Sequence, residues 1–335
     1  MQVHCLESGG HADSPRGRPE AIFCRRTTDQ NNKSAVDTMR AGLKSAFEVL
    51  GAALGITQIG RKATRDRIAV LAYHNVVPTE EAGRGDASLH LPLPLFIRQI
   101  ERLSCTHEIV DLETAASRPP GKRPRAVITF DDAYRGAVSH ALPELFRRGL
   151  PAVVFVAPGL LGTPITWWDA LGEAGRLAEM RATCLRDLAG KTQAILRRAF
   201  HDQPLPVLPD SYGIATLEEL EQHCHGPVRI GSHTWAHEYL PALSDSELQE
   251  TLEQAARWLR GYRGPRSAWL ALPYGAGSSD QVARVALNLG HAGILRIDGG
   301  LWRPNADTAA APRINVPAGL SWRGVELRAS GVFLR

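Results

Sequence analysis

Two short motifs carry side chains whose types and spacing suit metal-assisted hydrolysis. Asp131 and Asp132 are adjacent at the end of the apolar run ITF, and His233 and His237 share the segment SHTWAH. Adjacent carboxylates repel each other unless a cation or a shared proton lies between them. Two histidines and one aspartate can bind zinc and leave a position open for water. The other aspartate can then take a proton from that water, because the metal lowers its pKa toward about 7.

Each motif also has a simpler explanation when it is taken alone. Adjacent aspartates are common in turns and at helix N-termini, and two histidines near a helix start need not share a ligand. Both motifs, however, directly follow apolar runs that are typical of buried strands. This shared position favours one divalent-metal site, with zinc as the expected ion.

Short apolar runs rich in β-branched residues predict the strands that must position these motifs. They cover residues 68–74, 126–130, 152–157, 228–232, 267–272 and 292–297. Their continuous hydrophobicity is typical of strands buried on both faces. Helical patterns separate several of them, which predicts an α/β protein with a parallel sheet, open or closed into a barrel. We interpret the mostly helical stretch 166–225 as an insertion on the loop face, not as a second domain.

Polar motifs follow four of the predicted strands. They are the histidine of AYHN (His74), the aspartate pair, the histidine pair and the segment LPYG at 272–275. The carboxyl ends of parallel strands form one rim, where functional sites gather. We therefore expect these four motifs to converge there.

The composition is that of an ordinary globular protein without a nucleic-acid footprint. The hydrophobic fraction is 44%, the net charge is +4, and Lys and Arg are spread along the chain. The five cysteines are scattered without a CxxC pair, which argues against a disulfide framework and suits a reducing compartment. We find neither a membrane-spanning apolar stretch nor a secretory signal, and therefore expect a cytoplasmic protein.

The N-terminal region is predicted to lie outside the main domain. Residues 1–38 are polar and low in large aliphatic residues, which indicates a disordered tail. We expect residues 39–65 to form a helical segment, of which 39–56 could lie on a membrane surface as a peripheral contact. Met1 and Met39 are both candidate start residues.

The motifs together resemble the polysaccharide deacetylase family (carbohydrate esterase family four, which includes nodulation-type deacetylases). The resemblance is carried by VITFDDAYRG, RIGSHTWAH and LALPYG in that order, with LAYHNVVP, PAVVFVAPG and PRINVP around them. It covers a catalytic domain of residues 66–320 and leaves 321–335 as a C-terminal extension. The resemblance implies an irregular (β/α) barrel that removes acetyl groups from N-acetylated sugars with a divalent metal, often zinc.

The resemblance also assigns roles to individual residues. Asp131 would be the general base, and Asp132, His233 and His237 would bind the metal. The backbone N–H of Tyr274, in the PY motif, would stabilise the oxyanion of the tetrahedral intermediate.

Three positions depart from the usual family pattern. Ala133 replaces a glycine, and Ala271 stands where many members carry an arginine that orients the base. Segments of the FAYPYG type share this loss, and we expect Arg313 of PRINV to compensate, with an ordinary surface arginine as the alternative. No histidine follows residue 291, where many members have their general acid. A subgroup that includes poly-N-acetylglucosamine deacetylases takes it from an early YH motif, which corresponds to His74, although a core histidine is the alternative.

A sugar substrate needs aromatic surfaces for stacking. Trp235 and Trp168 are candidates, with core packing as the alternative, and we expect Pro273 to contribute to the same binding site. The sequence thus predicts a metal-dependent N-deacetylase acting on an N-acetylated glycan or glycan precursor. Two alternatives stay open, namely a glycan-binding homologue without activity and a hydrolase of a non-sugar C–N bond.

Overall fold

The predicted strands pair in parallel and close into a barrel. A computed structural model of the chain describes residues 55–277, 280–304 and 310–332. The strands are β1 Ile68–Tyr73, β2 Asn75–Val77, β3 His90–Pro92, β4 Glu108–Ile109, β5 Arg125–Phe130, β6 Ala152–Val156, β7 Val228–Ser232, β8 Arg266–Ala271, β9 Gly293–Ile297 and β10 Ala311–Asn315. Within the described ranges, seven parallel strands close the barrel in the order β1, β10, β9, β8, β7, β6 and β5, and β5 pairs back with β1.

Helices lie between most of these strands. They are α1 Ile56–Ala63, α2 Leu93–Thr106, α3 Leu112–Ser117, α4 Leu142–Arg147, α5 Trp167–Glu173, α6 Leu177–Arg186, α7 Thr192–Ala199, α8 Leu217–His223, α9 Asp245–Gly261, α10 Asp280–Asn288 and α11 Trp322–Ala329. Helices α5 to α8 form the predicted helical insertion between β6 and β7. Helix α9 begins at a capping box formed by Ser244 and Glu247. In the part of the chain that the structure describes, no helix is both long enough and apolar enough to cross a membrane.

The pairing of β1 with β5 brings two of the predicted motifs together. Six consecutive residue pairs run from Ile68 opposite Arg125 to Tyr73 opposite Phe130. All residues of both strands are buried, in agreement with their continuous hydrophobicity. Because both strands end at the same level, the segments that start with His74 and Asp131 emerge side by side at the carboxyl rim of the barrel.

One buried cluster takes alternate residues from neighbouring strands and fills the barrel interior. Its members include Val70, Val127, Phe155, Trp269, Ala271, Leu295 and Ala311. Alternation along a strand puts residues two apart on the same face, so Arg313 shares the inward face of Ala311. Arg313 is fully buried, which excludes a surface arginine, and its Cζ lies 5.6 Å from the ring centroid of Phe155.

Four strands were not indicated by apolar runs, namely β2, β3, β4 and β10. Strand β10 contains Pro312 and Arg313 among five residues, so its sequence carries no continuous apolar signal. It nevertheless pairs with both β9 and β1 and completes the barrel. The predicted tail 1–38 and the proposed membrane-surface segment up to residue 54 lie outside the described residues.

Candidate active site

Asp132, His233 and His237 form a compact set of groups at the carboxyl rim that could hold a metal ion. One ligand atom from each lies within 4.8 Å of the others, and all three residues are buried. The Asp132 Oδ1 atom lies 3.0 Å from His237 Nε2 and 3.5 Å from His233 Nε2. Among the described residues, neither Asp132 Oδ1 nor His237 Nδ1 has a hydrogen-bond partner. Buried polar atoms are normally satisfied, so this unpaired carboxylate oxygen between two imidazoles fits a divalent cation.

The hydrogen bond made by His233 prepares its ring for a metal. Nδ1 donates to the backbone carbonyl of Ala271 at 2.8 Å, so the lone pair is on Nε2, which faces Asp132. Burial alone would raise the pKa of the Asp132 carboxyl, but His237 and His233 outweigh burial and hold that pKa well below its usual value. Asp132 is therefore an anionic ligand at neutral pH.

Asp131 has a separate partner and does not share the unpaired position of its neighbour. Arg313 donates from Nη1 to Oδ1 at 2.6 Å and from Nη2 to Oδ2 at 2.8 Å, and both side chains are buried. Burial raises the pKa of Asp131, but the charges of Arg313 and His233 outweigh it and lower the pKa overall. Each carboxylate oxygen has a second lone pair, so Asp131 can still accept a proton from water. The adjacent aspartates thus have different partners, because Asp131 is paired with Arg313 and Asp132 lies between two imidazoles.

The aspartate pair, the histidine pair and the LPYG segment all use backbone conformations that L-residues seldom adopt. The positive φ values are 68° at Asp132, 59° at Ala133, 63° at Thr234, 57° at His237 and 59° at Tyr274. Such conformations cost about 1–3 kcal/mol each and persist only where the surrounding structure fixes them. The sharp turns aim the side chains of successive residues into one cavity instead of to opposite sides of a strand.

Glu238, which the sequence analysis did not identify, fixes the turn that carries both histidines. Its Oε2 accepts hydrogen bonds from Thr234 Oγ1 at 2.9 Å, from the Ala236 backbone N–H at 3.0 Å and from Thr251 Oγ1 at 2.8 Å. Thr251 Oγ1 in turn accepts from the backbone N–H of Trp235 at 3.1 Å. These bonds satisfy the backbone of the turn, which helps to offset its strain.

The motifs converge on a cavity of about 670 Å³ at the rim, which we call the active-site cavity. The predicted site residues that line it are His74, Asp131, Asp132, Trp168, His233, His237 and Tyr274. Arg313 lies behind Asp131. The opposite wall consists of residues 85–89 with parts of α5 and α6. Trp235 and Pro273 are not among the residues that line the cavity.

Trp235 packs away from the cavity, against the loop that follows β6. Its backbone carbonyl accepts from Gly159 N–H at 2.7 Å, and a Cβ on Gly159 would lie 3.0 Å from Trp235 Nε1. Trp168 instead packs its ring on His237, with centroids 4.8 Å apart. Of the two predicted stacking residues, the structure therefore brings only Trp168 to the cavity.

His74 faces the cavity and is only partly shielded from it. Burial lowers the pKa of its imidazole, and the negative charges of Asp131 and Asp132 only partly oppose this effect. An imidazolium with a lowered pKa releases its proton readily.

Comparison with known protein families gives a match over much of the barrel. Residues 118–294, more than half of the chain, match the family model for polysaccharide deacetylase. The chain belongs to the polysaccharide deacetylase family. The barrel is accordingly the irregular (β/α) barrel of polysaccharide deacetylases, and family membership indicates a carbohydrate deacetylase.

Solved structures of other deacetylases share this fold at low sequence identity. IcaB from Ammonifex degensii is 19% identical, and the alignment covers 79% of this chain and 97% of that chain with a TM-score of 0.57. The Streptococcus pyogenes deacetylase PplD, in complex with acetate, is 16% identical, with 78% and 98% covered and a TM-score of 0.55. A de-N-acetylase from Aggregatibacter actinomycetemcomitans is 18% identical, with 78% and 99% covered and a TM-score of 0.53. The chain matches none of the curated protein sequences with which it was compared.

Proposed function

We propose that this polysaccharide deacetylase is a metal-dependent N-deacetylase that hydrolyses the N-acetyl amide of a sugar or glycan precursor. The observation that carries the proposal is one cavity lined both by the Asp132, His233 and His237 set and by a second, separately paired carboxylate, Asp131. Metal ligands and a neighbouring base are the two groups that hydrolysis of an unreactive amide needs. Trp168 contributes aromatic surface to the cavity wall, where a sugar would lie.

Asp132, His233 and His237 would hold the metal, and zinc suits a set of two imidazoles and one carboxylate. When bound, such an ion acts as a Lewis acid toward the acetyl carbonyl and lowers the pKa of the attacking water. The Ala271 carbonyl keeps the His233 lone pair directed at this site through its hydrogen bond from Nδ1.

Asp131 acts as the general base and takes the proton of the attacking water. Its pairing with Arg313 keeps it ionised in a buried position and fixes the plane of the carboxylate. Many family members have an arginine at the position of Ala271 on β8. Arg313 takes its place here and reaches Asp131 from β10.

His74 and Tyr274 complete the reaction. The backbone N–H of Tyr274 donates to the oxygen that gains negative charge as water adds to the carbonyl. His74, in its protonated form, donates a proton to the nitrogen when the C–N bond breaks. The products are acetate and the free amino sugar.

Metal content and acetate release, measured on the same protein samples, test the proposal. We expect about one zinc per chain and release of acetate from N-acetylglucosamine oligomers, with activity lost on chelation and restored by zinc. His237→Ala should lose both metal and activity. His225→Ala, which removes an exposed histidine that does not line the active-site cavity, is the matched control and should retain both.

Two results would overturn the proposal. A wild-type protein that binds no metal after incubation with zinc would remove the metal centre. A metal-loaded protein that releases no acetate from any acetylated amino sugar would leave the site without the proposed chemistry and favour a glycan-binding role.

A further inference from the structure

A further buried carboxylate, Asp169 on α5, lies behind the wall of the active-site cavity and has no role in the mechanism above. It is fully buried and accepts four hydrogen bonds. Oδ1 accepts from the Asp86 backbone N–H at 2.9 Å and from His90 Nε2 at 2.8 Å. Oδ2 accepts from Tyr134 Oη at 2.7 Å and from Thr166 Oγ1 at 2.8 Å.

His90 is a donor to Asp169 because its other ring nitrogen is an acceptor. Asn75 Oδ1 accepts from the backbone N–H of Val76 at 2.9 Å, so the amide nitrogen of Asn75 faces the opposite way. That Nδ2 donates to the Ser211 carbonyl at 3.0 Å and lies 3.0 Å from His90 Nδ1. The His90 proton is therefore on Nε2, and the imidazole needs no positive charge to bond Asp169.

Tyr134 is a donor to Asp169 for a similar reason. Its hydroxyl oxygen accepts from the indole Nε1–H of Trp168 at 2.6 Å, which leaves its own proton for Asp169. Asp169, Tyr134 and Trp168 thus form a chain of directed hydrogen bonds.

This series of hydrogen bonds leads to His237, a proposed metal ligand. The ring of Trp168 packs on the ring of His237 at a centroid distance of 4.8 Å, and the ring of Tyr274 packs on it at 4.5 Å. His237 Nδ1 has no hydrogen-bond partner among the described residues. Metal-binding histidines are usually oriented by such a bond, so here packing against Trp168 and Tyr274 must orient the ring.

We propose that Asp169 is a positioning residue for the metal centre, which it stabilises by fixing Tyr134 and Trp168 against His237. This inference rests on the proposed function, because it requires that His237 binds a metal. It also explains why the residue is a carboxylate. All four groups around Asp169 are donors, so an asparagine would direct its amide N–H bonds at two of them.

Asp169→Asn tests the proposal through cobalt(II) affinity, measured by absorption titration of the metal-free full-length chain. We expect about tenfold weaker binding, since the loss of an outer-shell partner typically weakens metal affinity by about 10–100-fold. Tyr134→Phe removes the hydroxyl that links Asp169 to Trp168, keeps the ring, and should weaken cobalt(II) binding by a similar factor. The double variant should bind no more weakly than the weaker single variant.

Glu173→Gln is the matched control on the same helix. Glu173 accepts hydrogen bonds from Arg84 and from the backbone N–H of Gly85, so it anchors the same wall segment without contacting Tyr134 or Trp168. We expect its cobalt(II) affinity to equal that of wild type. Thermal melting of every variant identifies those that do not fold.

The outcomes distinguish this inference from the proposed function. Wild-type protein that binds no cobalt(II) or zinc would overturn both. Tight binding by wild type and unchanged affinity in folded Asp169→Asn would overturn the positioning role alone. If Asp169→Asn does not fold, unchanged cobalt(II) affinity in Tyr134→Phe would overturn the positioning role. An equal loss of cobalt(II) affinity in Glu173→Gln would also overturn it.

Discussion

Two regions of the molecule bury charged side chains, and the hydrogen-bond partners of these side chains differ between the two regions. On the helical flank formed by α1, α2 and α11, Glu326 is 1% exposed and accepts from Arg61 at 2.9 Å and from Arg102 at 2.7 and 3.0 Å. At the active-site rim, Asp132 Oδ1 and His237 Nδ1 have no hydrogen-bond partner in the described part of the chain. Both regions carry buried carboxylates, but only the rim leaves ligand atoms unpaired.

The difference separates a structural charge from a functional one. A buried carboxylate that is saturated by two arginines ties helices together and has no capacity left for a ligand. A buried carboxylate oxygen between two imidazoles still has lone pairs free for a cation. The rim also has the strained turns, whereas α2 and α11 are regular helices. We expect changes at the rim to alter activity and changes on the flank to alter stability.

Asp131→Asn should have the largest effect. The amide cannot accept a proton from water, so we expect the rate of acetate release to fall by about 10²–10⁴-fold. Metal content should stay near wild type, because Asp132 and the two histidines are unchanged. Acetate release and zinc content measured on one sample check this, and near-normal turnover would show that Asp131 is not the base.

The flank should be sensitive to acid through His107, whose burial lowers the pKa of its imidazole to about 4. Between pH 6.5 and 4 the unfolded chain binds a proton at this position that the folded chain does not, so stability falls as the pH falls. The expected loss from pH 8 to pH 4 is about 3 kcal/mol. Denaturant unfolding of wild type and His107→Gln checks this; equal pH slopes in the two proteins would contradict it.

Glu326→Ala should destabilise the flank by about 2 kcal/mol. Removing one partner of a fully buried ion pair costs about 3–5 kcal/mol, but the Arg102 side chain is 43% exposed and regains water, which reduces the loss. Acetate release per folded molecule should be unchanged. Urea unfolding together with an activity assay tests both statements, and reduced activity at full folding would remove the distinction between the two regions.

Thr251→Val should have the smallest effect, at the rim. The valine removes one of the three donors to Glu238 Oε2 and leaves the Trp235 backbone N–H unpaired. We expect a loss of about 1 kcal/mol of stability and weaker zinc binding, because the turn that holds both histidines is less fixed. A comparison with Thr192→Val, whose buried hydroxyl has no partner among the described residues, isolates the hydrogen bonds.

Much of the barrel and the convergence of its motifs could be predicted from sequence, since both follow from local patterns. Continuous apolar runs gave β1, β5, β6, β7, β8 and β9. Parallel strands end at one rim, so the polar residues after them had to meet there. Strand β10 was missed as a strand because Pro312 and Arg313 interrupt its apolar pattern. Its place between β9 and β1 is decided by closure of the barrel, which no local pattern records.

The residues that hold the site in place were harder to predict from sequence than the proposed metal ligands themselves. Glu238 directly follows His237, yet nothing in its neighbours indicates a carboxylate that accepts three hydrogen bonds. Asp169 lies in the first turn of α5, where an acidic residue is favourable without any further role. Its partners come from three separate segments and are brought together only by folding. Trp235 was assigned to the cavity from its position in the motif, but its indole lies against Gly159 in the loop after β6.

The late position of β10 in the chain has a consequence for biosynthesis. Asp131 and Arg313 are 182 residues apart, so a ribosome synthesises all three proposed metal ligands before it adds the arginine that pairs with Asp131. Until then the nascent chain carries a gap between β1 and β9, with an unpaired Asp131 beside it. Only the arrival of the final strand closes the barrel, so chain termination before Arg313 leaves an open sheet with two exposed edges.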